Sequence, residues 1–407
     1  MDRVTSAFDL DLPALDTADL DRQEALVATR AARRDSWLAR TPLGFSVLTH
    51  ADAVAVLRDR RFHSALSQIP RMAGLEPDNA LAQRRRSILS MEGDEHARLR
   101  RLVAPAFTPA AADRLRPVMR RVVGELVGQV APTGRCELMG EVCEPYPIHV
   151  ICELLGAPSQ DWKLFSEWAT DIFKVFNGDL VNDLPAIQQA GAALEGYVRS
   201  LVEERRADPG EDLLSTLIAH EEAGDRLSTD EMVMLAEAVL MAGTDTTRNQ
   251  LGCCVALFTE HPDQWALLAE RPDLAPRAVE ECMRTLGAVR GTVRFASEDI
   301  VYRDVRFPQG TIVSVSLATA NRDPEVFVEP DRFDITAERR TQQMTFGSGI
   351  HHCLGAALAR AELQEALGIL ARRLPEVALD GPVIWKPPTF GIWGPARLHL
   401  RFTATTG

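Results

Sequence analysis

Residues 346–355 read Phe346-Gly347-Ser348-Gly349-Ile350-His351-His352-Cys353-Leu354-Gly355. Two glycines make a flexible turn, and helical periodicity from Leu354 to Arg373 puts Cys353 at about a helix N-terminus. There the helix dipole and free N–H groups favour a thiolate, and a thiolate binds soft metals. Taken as residue types, other roles stay open: a buried free thiol beside a glycine turn, a zinc ligand, or a protease nucleophile. Zinc would want a second Cys/His pair at ligand spacing, which the sequence lacks. A nucleophile would need a base and an orienting group, which sequence does not locate.

Upstream, Ser228-Thr229-Asp230-Glu231 matches a capping box. No proline follows until His261-Pro262, so the pattern predicts a helix of about 32 residues, roughly 48 Å long. It is apolar nearly all round (Met232, Val233, Leu235, Ala236, Val239, Leu240), which predicts burial. Ala242-Gly243-Thr244-Asp245-Thr246-Thr247 interrupts it with poor helix formers, whose side chains compete for backbone hydrogen bonds and bend helices. That is either a kink at a close helix crossing or a functional opening. Further on, Glu281-Cys282-Met283-Arg284 sets an acid and a base at i, i+3, a spacing common on charged helices. His96 and Arg100 share a helical face, while Arg294 falls in a short β-branched segment.

The rest of the chain predicts a mainly α protein with a minor β region. Strands are expected at 44–49, 292–294, 300–303 and 311–317, with a Pro308-Gln309-Gly310 turn, and a tail hairpin over 383–402. A helix is expected over 52–59 and an irregular loop over 62–90. Helices dominate from His96 to His261, with breaks at Pro105, Pro109, 132–134, Pro145, Pro158, Pro185 and 209–210. No repeat or linker divides the chain, so 1–407 reads as one unit. Hydrophobic residues at 46% and charged residues at 25% exclude a disordered chain. A net charge of −13 argues against a nucleic-acid partner. No apolar run of about 20 residues predicts a membrane span, and the acidic start of the chain does not read as a signal peptide. Seven cysteines, an odd number, do not suggest a disulfide framework. A cytoplasmic location is the expectation.

The 346–355 string resembles F-G-x-G-x-H-x-C-x-G, the haem-ligand loop of the cytochrome P450 family. The resemblance implies the cytochrome P450 fold, with a long central helix over the haem. It implies haem b (iron protoporphyrin IX) as cofactor and Cys353 as its axial thiolate, a ligand that favours O–O cleavage. Glu281 and Arg284 resemble the ExxR pair, which would lock to the segment holding Arg332-Phe333-Asp334 and support the Cys353 loop. Residues 242–247 resemble A-G-x-[DE]-T-[TS]. That likeness implies an opened turn over the haem, with Ala242 and Gly243 against it. Thr246 would stand at the oxygen and Asp245 one step further out, toward solvent, as the pair that delivers protons. His96, Arg100, Arg294 and His351 resemble the haem propionate partners, and Phe346, Gly347 and Gly355 flank the thiolate. Asn321-Arg322-Asp323-Pro324 and Glu329-Pro330-Asp331-Arg332-Phe333 are also family-like.

By that resemblance the protein is a haem-thiolate monooxygenase that hydroxylates or epoxidises a small lipophilic molecule. A peroxide-using, phenol-coupling or nitrating relative, and a non-catalytic haem-binding protein, are the alternatives. The chain has neither a dinucleotide-binding fingerprint nor iron–sulfur spacing, so electrons are expected from a separate ferredoxin or flavodoxin and its NAD(P)H reductase. Arg98, Arg101, His352 and Arg360 are candidates for a basic docking patch. Pocket walls are expected from loop 62–90, 173–176, Ala242, Val289 and the turn Phe390-Gly391-Ile392-Trp393.

Overall fold

Ser228 begins the longest helix. Its hydroxyl accepts from the Glu231 N–H (3.2 Å), while the Glu231 carboxylate accepts from the Ser228 N–H (2.9 Å), the reciprocal pairing of a capping box. The computed structural model describes residues 4–17, 20, 22–68, 87–176, 180–222, 227–387 and 392–405. In chain order its helices are α1 (Arg22–Asp35), α2 (His50–Arg58), α3 (Gly93–Val103), α4 (Pro109–Val130), α5 (Pro145–Leu155), α6 (Trp162–Phe173) and α7 (Leu180–Ala207). Then come α8 (Leu213–Glu222), α9 (Thr229–Thr259), α10 (Pro262–Glu270), α11 (Ala275–Thr285), α12 (Leu317–Ala320) and α13 (Ala356–Arg373). The capped helix, α9, packs against α5, α6, α7, α11 and α13. Its apolar residues join the main core with Tyr146, Cys282 and Leu363, as the all-round apolar pattern requires. None of the described helices is long and apolar enough to cross a membrane.

A second core sits under a five-stranded sheet, ordered Leu38–Thr41, Gly44–Val47, Ile312–Ser316, Gly291–Ala296, Phe62–Ser64. Gly44–Val47 runs parallel to Ile312–Ser316, and the other pairs are antiparallel. The sheet therefore joins the start of the chain to its C-terminal half. The tail hairpin forms between Ile384–Trp385 and Pro395–Arg397.

Several sequence expectations shift. Phe62–Ser64 is an edge strand where a loop was expected; most of the rest of that loop, 69–86, lies outside the described residues. Val305–Phe307 is an additional strand, between Thr5–Ser6 and Ile300–Tyr302. The expected breaks at Pro109 and Pro145 do fall at helix boundaries, each proline beginning a new helix, since a first-turn residue has no intrahelical N–H bond to lose. Pro185 does not break α7. The carbonyl it leaves unpaired belongs to Val181, which is 65% exposed, so water can satisfy it.

Candidate functional site

Cys353 differs from the other six cysteines, all of which are buried while it is accessible. It is exposed on the loop that precedes α13, with Arg100 and Arg360 near it. Its N–H donates to the Phe346 carbonyl (2.9 Å). Burial pushes its thiol pKa up, while the Gly355 N–H, Arg100 and Arg360 favour the thiolate. Helix α13 starts at Ala356, with Gly355 as its N-cap, slightly later than expected. Gly347 and Gly349 both have positive φ (70° and 73°). At Gly349 a Cβ would collide with the Leu57 carbonyl, so only glycine lets the loop close on α2. At Gly347 a Cβ would meet nothing within 4 Å.

The acid–base pair on α11 is buried and closed: Arg284 Nη2 lies 2.7 Å from Glu281 Oε1. Arg284 also donates to the carbonyls of Asn321 (3.2 Å), Pro330 (2.6 Å) and Arg332 (2.9 Å). Asn321 Oδ1 then accepts from the Met344 N–H (2.6 Å), and Met344 O accepts from the Gly347 N–H (2.7 Å). The pair thus supports the entry to the Cys353 loop through backbone carbonyls. Arg332's own side chain pairs instead with Glu329 and Asp334. The second cation on Glu281 is Arg339, at 2.9 Å, which the sequence reading missed.

His96, His351 and Arg294 come together around Glu92. The His96 and His351 rings are 4.7 Å apart, and His351 Nε2 lies 3.0 Å from Glu92 Oε1. The His96 Nε2 is buried without a hydrogen-bond partner among the described residues. Arg294 is buried and donates to two neutral groups, Thr292 Oγ1 (2.9 Å) and the Val293 carbonyl (3.1 Å). Burial pulls its pKa below the usual guanidinium range, with Glu92 as the counterweight. A buried cation and an orphaned ring nitrogen suit an incoming carboxylate. Arg100 is placed differently and donates to the His352 carbonyl on the Cys353 loop.

Helix α9 runs unbroken through 242–247, where an opened turn was expected. Thr246 Oγ1 instead donates to the Ala242 carbonyl (2.7 Å). Ala242 is exposed although α9 is otherwise largely buried. A Cβ on Gly243 would collide with Ile151 of α5, which fixes that close crossing. Asp245 does not face solvent as expected: it is 4% exposed. Its carboxylate pairs with Arg248, accepts from Asn249 Nδ2 (3.0 Å), and lies 3.5 Å from Lys386 Nζ. Arg248 reaches Glu144 at 3.8 Å.

With this geometry in place, the comparisons decide the family. A cytochrome P450 family model matches residues 46–375. The chain belongs to the cytochrome P450 family. It is 36% identical to luteothin monooxygenase of Streptomyces thioluteus over 97% of each chain. It is 38% identical to the mycinamicin IV hydroxylase/epoxidase of Micromonospora griseorubida, covering 84% of this chain and 86% of that one. The crystal structure of CalO2 superposes with a TM-score of 0.90 at 32% identity, covering 97% of this chain and 100% of that chain. This P450 is accordingly a monooxygenase, and its cofactor is haem b. The accessible thiol, the buried Arg294 and the unpartnered His96 fit that group.

The expected basic patch on the P450 is partly neutralised. Arg98 pairs with Glu231, and Arg360 with Glu280 (2.5 Å) while lying over the Phe346 ring. Of the pocket walls, Val289 bridges Ile392, and the Trp393 N–H donates to the Ala288 carbonyl (2.9 Å). Phe390 and Gly391 lie outside the described residues. Sequence reading also missed Glu92, Arg248 and Lys386. Only Arg248, three residues after Asp245, carried a local signal.

Proposed function

We propose that this P450 inserts one atom of O₂ into a C–H bond, or epoxidises a double bond, of a small lipophilic molecule. Electrons arrive in the cytoplasm from NAD(P)H through a separate ferredoxin or flavodoxin and its reductase. The reading takes 1–407 as one catalytic domain. The observation that carries it is the accessible Cys353 thiol at the end of a loop fixed by Gly349 and supported by the Glu281–Arg284 pair. Relatives named as a monooxygenase and a hydroxylase/epoxidase support the reaction class.

Haem b bound at Cys353 supplies oxygen activation, with the second oxygen atom leaving as water. The chain's residues do the rest. Cys353 would hold the iron through its thiolate, which the Gly355 N–H and Arg100 favour. His96, Arg294, His351 and Arg100 would meet its carboxylates, and Ala242, Gly243, Phe346 and Gly347 would lie against it. The Thr246 hydroxyl, anchored on the Ala242 carbonyl, would hold a proton for the reaction. Asp245 passes protons inward from the charged cluster around Arg248. The intact Asp245–Thr246 pair favours the O₂ route over a peroxide route. Apolar Val289, Ile392 and Trp393 suit a lipophilic substrate.

The test is the optical spectrum of the reduced, carbon-monoxide-treated holoprotein. The wild type should show the long-wavelength Soret band of a thiolate ligand, and Cys353→Ser should lose it. A wild type without that band overturns the reading. Screening a compound library for the spin-state change, then assaying hits with ferredoxin, reductase and NAD(P)H, identifies the substrate.

A further inference from the structure

Gln250 lies one turn beyond Thr246 on α9, and the i, i+4 spacing puts both on one face of the helix. It opens a stretch that is otherwise apolar through Phe258, and it is only 4% exposed. A glutamine at such a place is unfavourable unless its amide is paired. Its partner is backbone: Oε1 accepts from the Ala288 N–H (2.8 Å), and Nε2 donates to the Leu286 carbonyl (3.1 Å). Nε2 also meets Cys254 Sγ at 3.6 Å. The carboxamide thus pairs with 286–288 as a neighbouring strand would, in a stretch that belongs neither to α11 nor to the Gly291–Ala296 strand. Gly287, between the two bonded residues, leaves the segment no slack. A Cβ there would come within 2.8 Å of Thr345 Oγ1 and 2.9 Å of the Met283 carbonyl. Next in the chain stands Val289, bridged to Ile392, while the Ala288 carbonyl accepts from the Trp393 N–H (2.9 Å). One side chain therefore ties the helix face that carries Thr246 to the segment that carries Val289.

We propose that Gln250 is a positioning residue for substrate selection: its carboxamide sets the gap between Thr246 and Val289, and so the width of molecule that fits between them. The inference rests on the roles given above to Thr246 and to Val289 as a pocket wall, and adds what fixes their separation. Two hydrogen bonds to groups two residues apart hold the segment in both position and orientation, which an apolar contact of the same volume does not do. Without the amide, the Ala288 N–H and the Leu286 carbonyl are left buried and unpaired, at a cost that drives the backbone to turn in search of partners. Val289 follows directly in the chain and moves with it.

The test uses holoprotein of wild type, Gln250→Met and Gln250→Glu, titrated optically with imidazole and with phenylimidazole. Gln250→Met keeps the volume and removes both hydrogen bonds. Gln250→Glu is measured at about pH 6, where a buried carboxyl keeps its proton and offers the same donor and acceptor. In Gln250→Met the ratio of the two dissociation constants should change at least fivefold, while the constant for the small probe, imidazole, stays within twofold of wild type. Amide hydrogen exchange in peptides covering 286–293 should speed at least tenfold and that in 360–370 should not. Gln250→Glu should return both readouts to within twofold of wild type. A glutamine that merely fills space would not move the ratio, and the acid would have nothing to restore. A smaller change in Gln250→Met, or no recovery in Gln250→Glu, overturns the inference. So does a Gln250→Met protein without the thiolate Soret band, because the residue would then support the whole haem site and not one wall. In each of these cases a wild type with the band keeps the haem–thiolate reading; a wild type without it overturns both.

Discussion

Glu281→Gln tests the support of the Cys353 loop most directly. The substitution keeps shape and one acceptor but removes the charge shared by two arginines. The side chains of Arg284 and Glu281 are 1% and 3% exposed, so water does not replace the lost partner. Removing one member of such a buried pair costs about 3–5 kcal/mol, a large share of a total stability of about 5–15 kcal/mol. Arg339 sits at the edge of the network, 19% exposed, so Arg339→Gln should cost less, about 1.5–2.5 kcal/mol. Because Arg284 reaches the loop through Asn321 and Met344, Glu281→Gln should also lower haem content. The pair also predicts a pH dependence. Burial alone would raise the Glu281 carboxyl, but hydrogen bonds from Arg284 and Arg339 outweigh it and hold the pKa below the usual range. A folded-state value below the unfolded one gives stability that is complete above the unfolded pKa. It is lost as pH falls from about 4.3 through the folded value. Urea unfolding followed by far-ultraviolet dichroism, with haem content from Soret absorbance, measures all three. A Glu281→Gln loss under about 1 kcal/mol, an Arg339→Gln loss exceeding it, or a gap from wild type that does not narrow in acid would refute the reasoning.

Gly349→Ala should leave the helices intact but strip haem. A left-handed φ costs alanine about 1–2 kcal/mol, and the methyl collides with the Leu57 carbonyl; a fully haem-loaded variant would contradict this. Arg294→Gln should speed haem transfer to apomyoglobin at least tenfold, because a buried carboxylate would lose its cation. Transfer at the wild-type rate would remove Arg294 from the propionate site. Arg101→Glu should slow ferredoxin-driven reduction at low salt and lose that effect at high salt. Arg98→Glu should chiefly weaken the start of α9, where Arg98 pairs with the capping Glu231, and thermal melts with stopped-flow reduction separate the two.

Features written in contiguous residues were legible. The capping box at Ser228, the glycine turn before Cys353 and the switch to short strands after Arg284 each rest on neighbours in the chain. The ExxR pair was readable as a pair, yet its partners are carbonyls at Asn321, Pro330 and Arg332, which carry no residue-type signal. Arg339, Glu92 and Lys386 were invisible because each meets its partner from a distant element. Phe62–Ser64 was missed because a three-residue edge strand is defined by its pairing to Gly291–Ala296, not by its own composition. Asp245 was expected nearer solvent from the family resemblance alone, and a cluster assembled from three elements buries it instead.

The contact between Gly349 and Leu57 bears on biosynthesis. The turn that presents the thiol has its seat on a helix synthesised long before the turn itself. The adjoining sheet is likewise closed by Gly44–Val47 pairing with Ile312–Ser316. Closure of such a long loop is slow, so a chain that has not yet made its 312–349 segment has no finished cradle to offer. Metalloporphyrin capture therefore follows synthesis of that segment, competing with aggregation of the unfilled polypeptide, and yield in a heterologous host should track porphyrin supply.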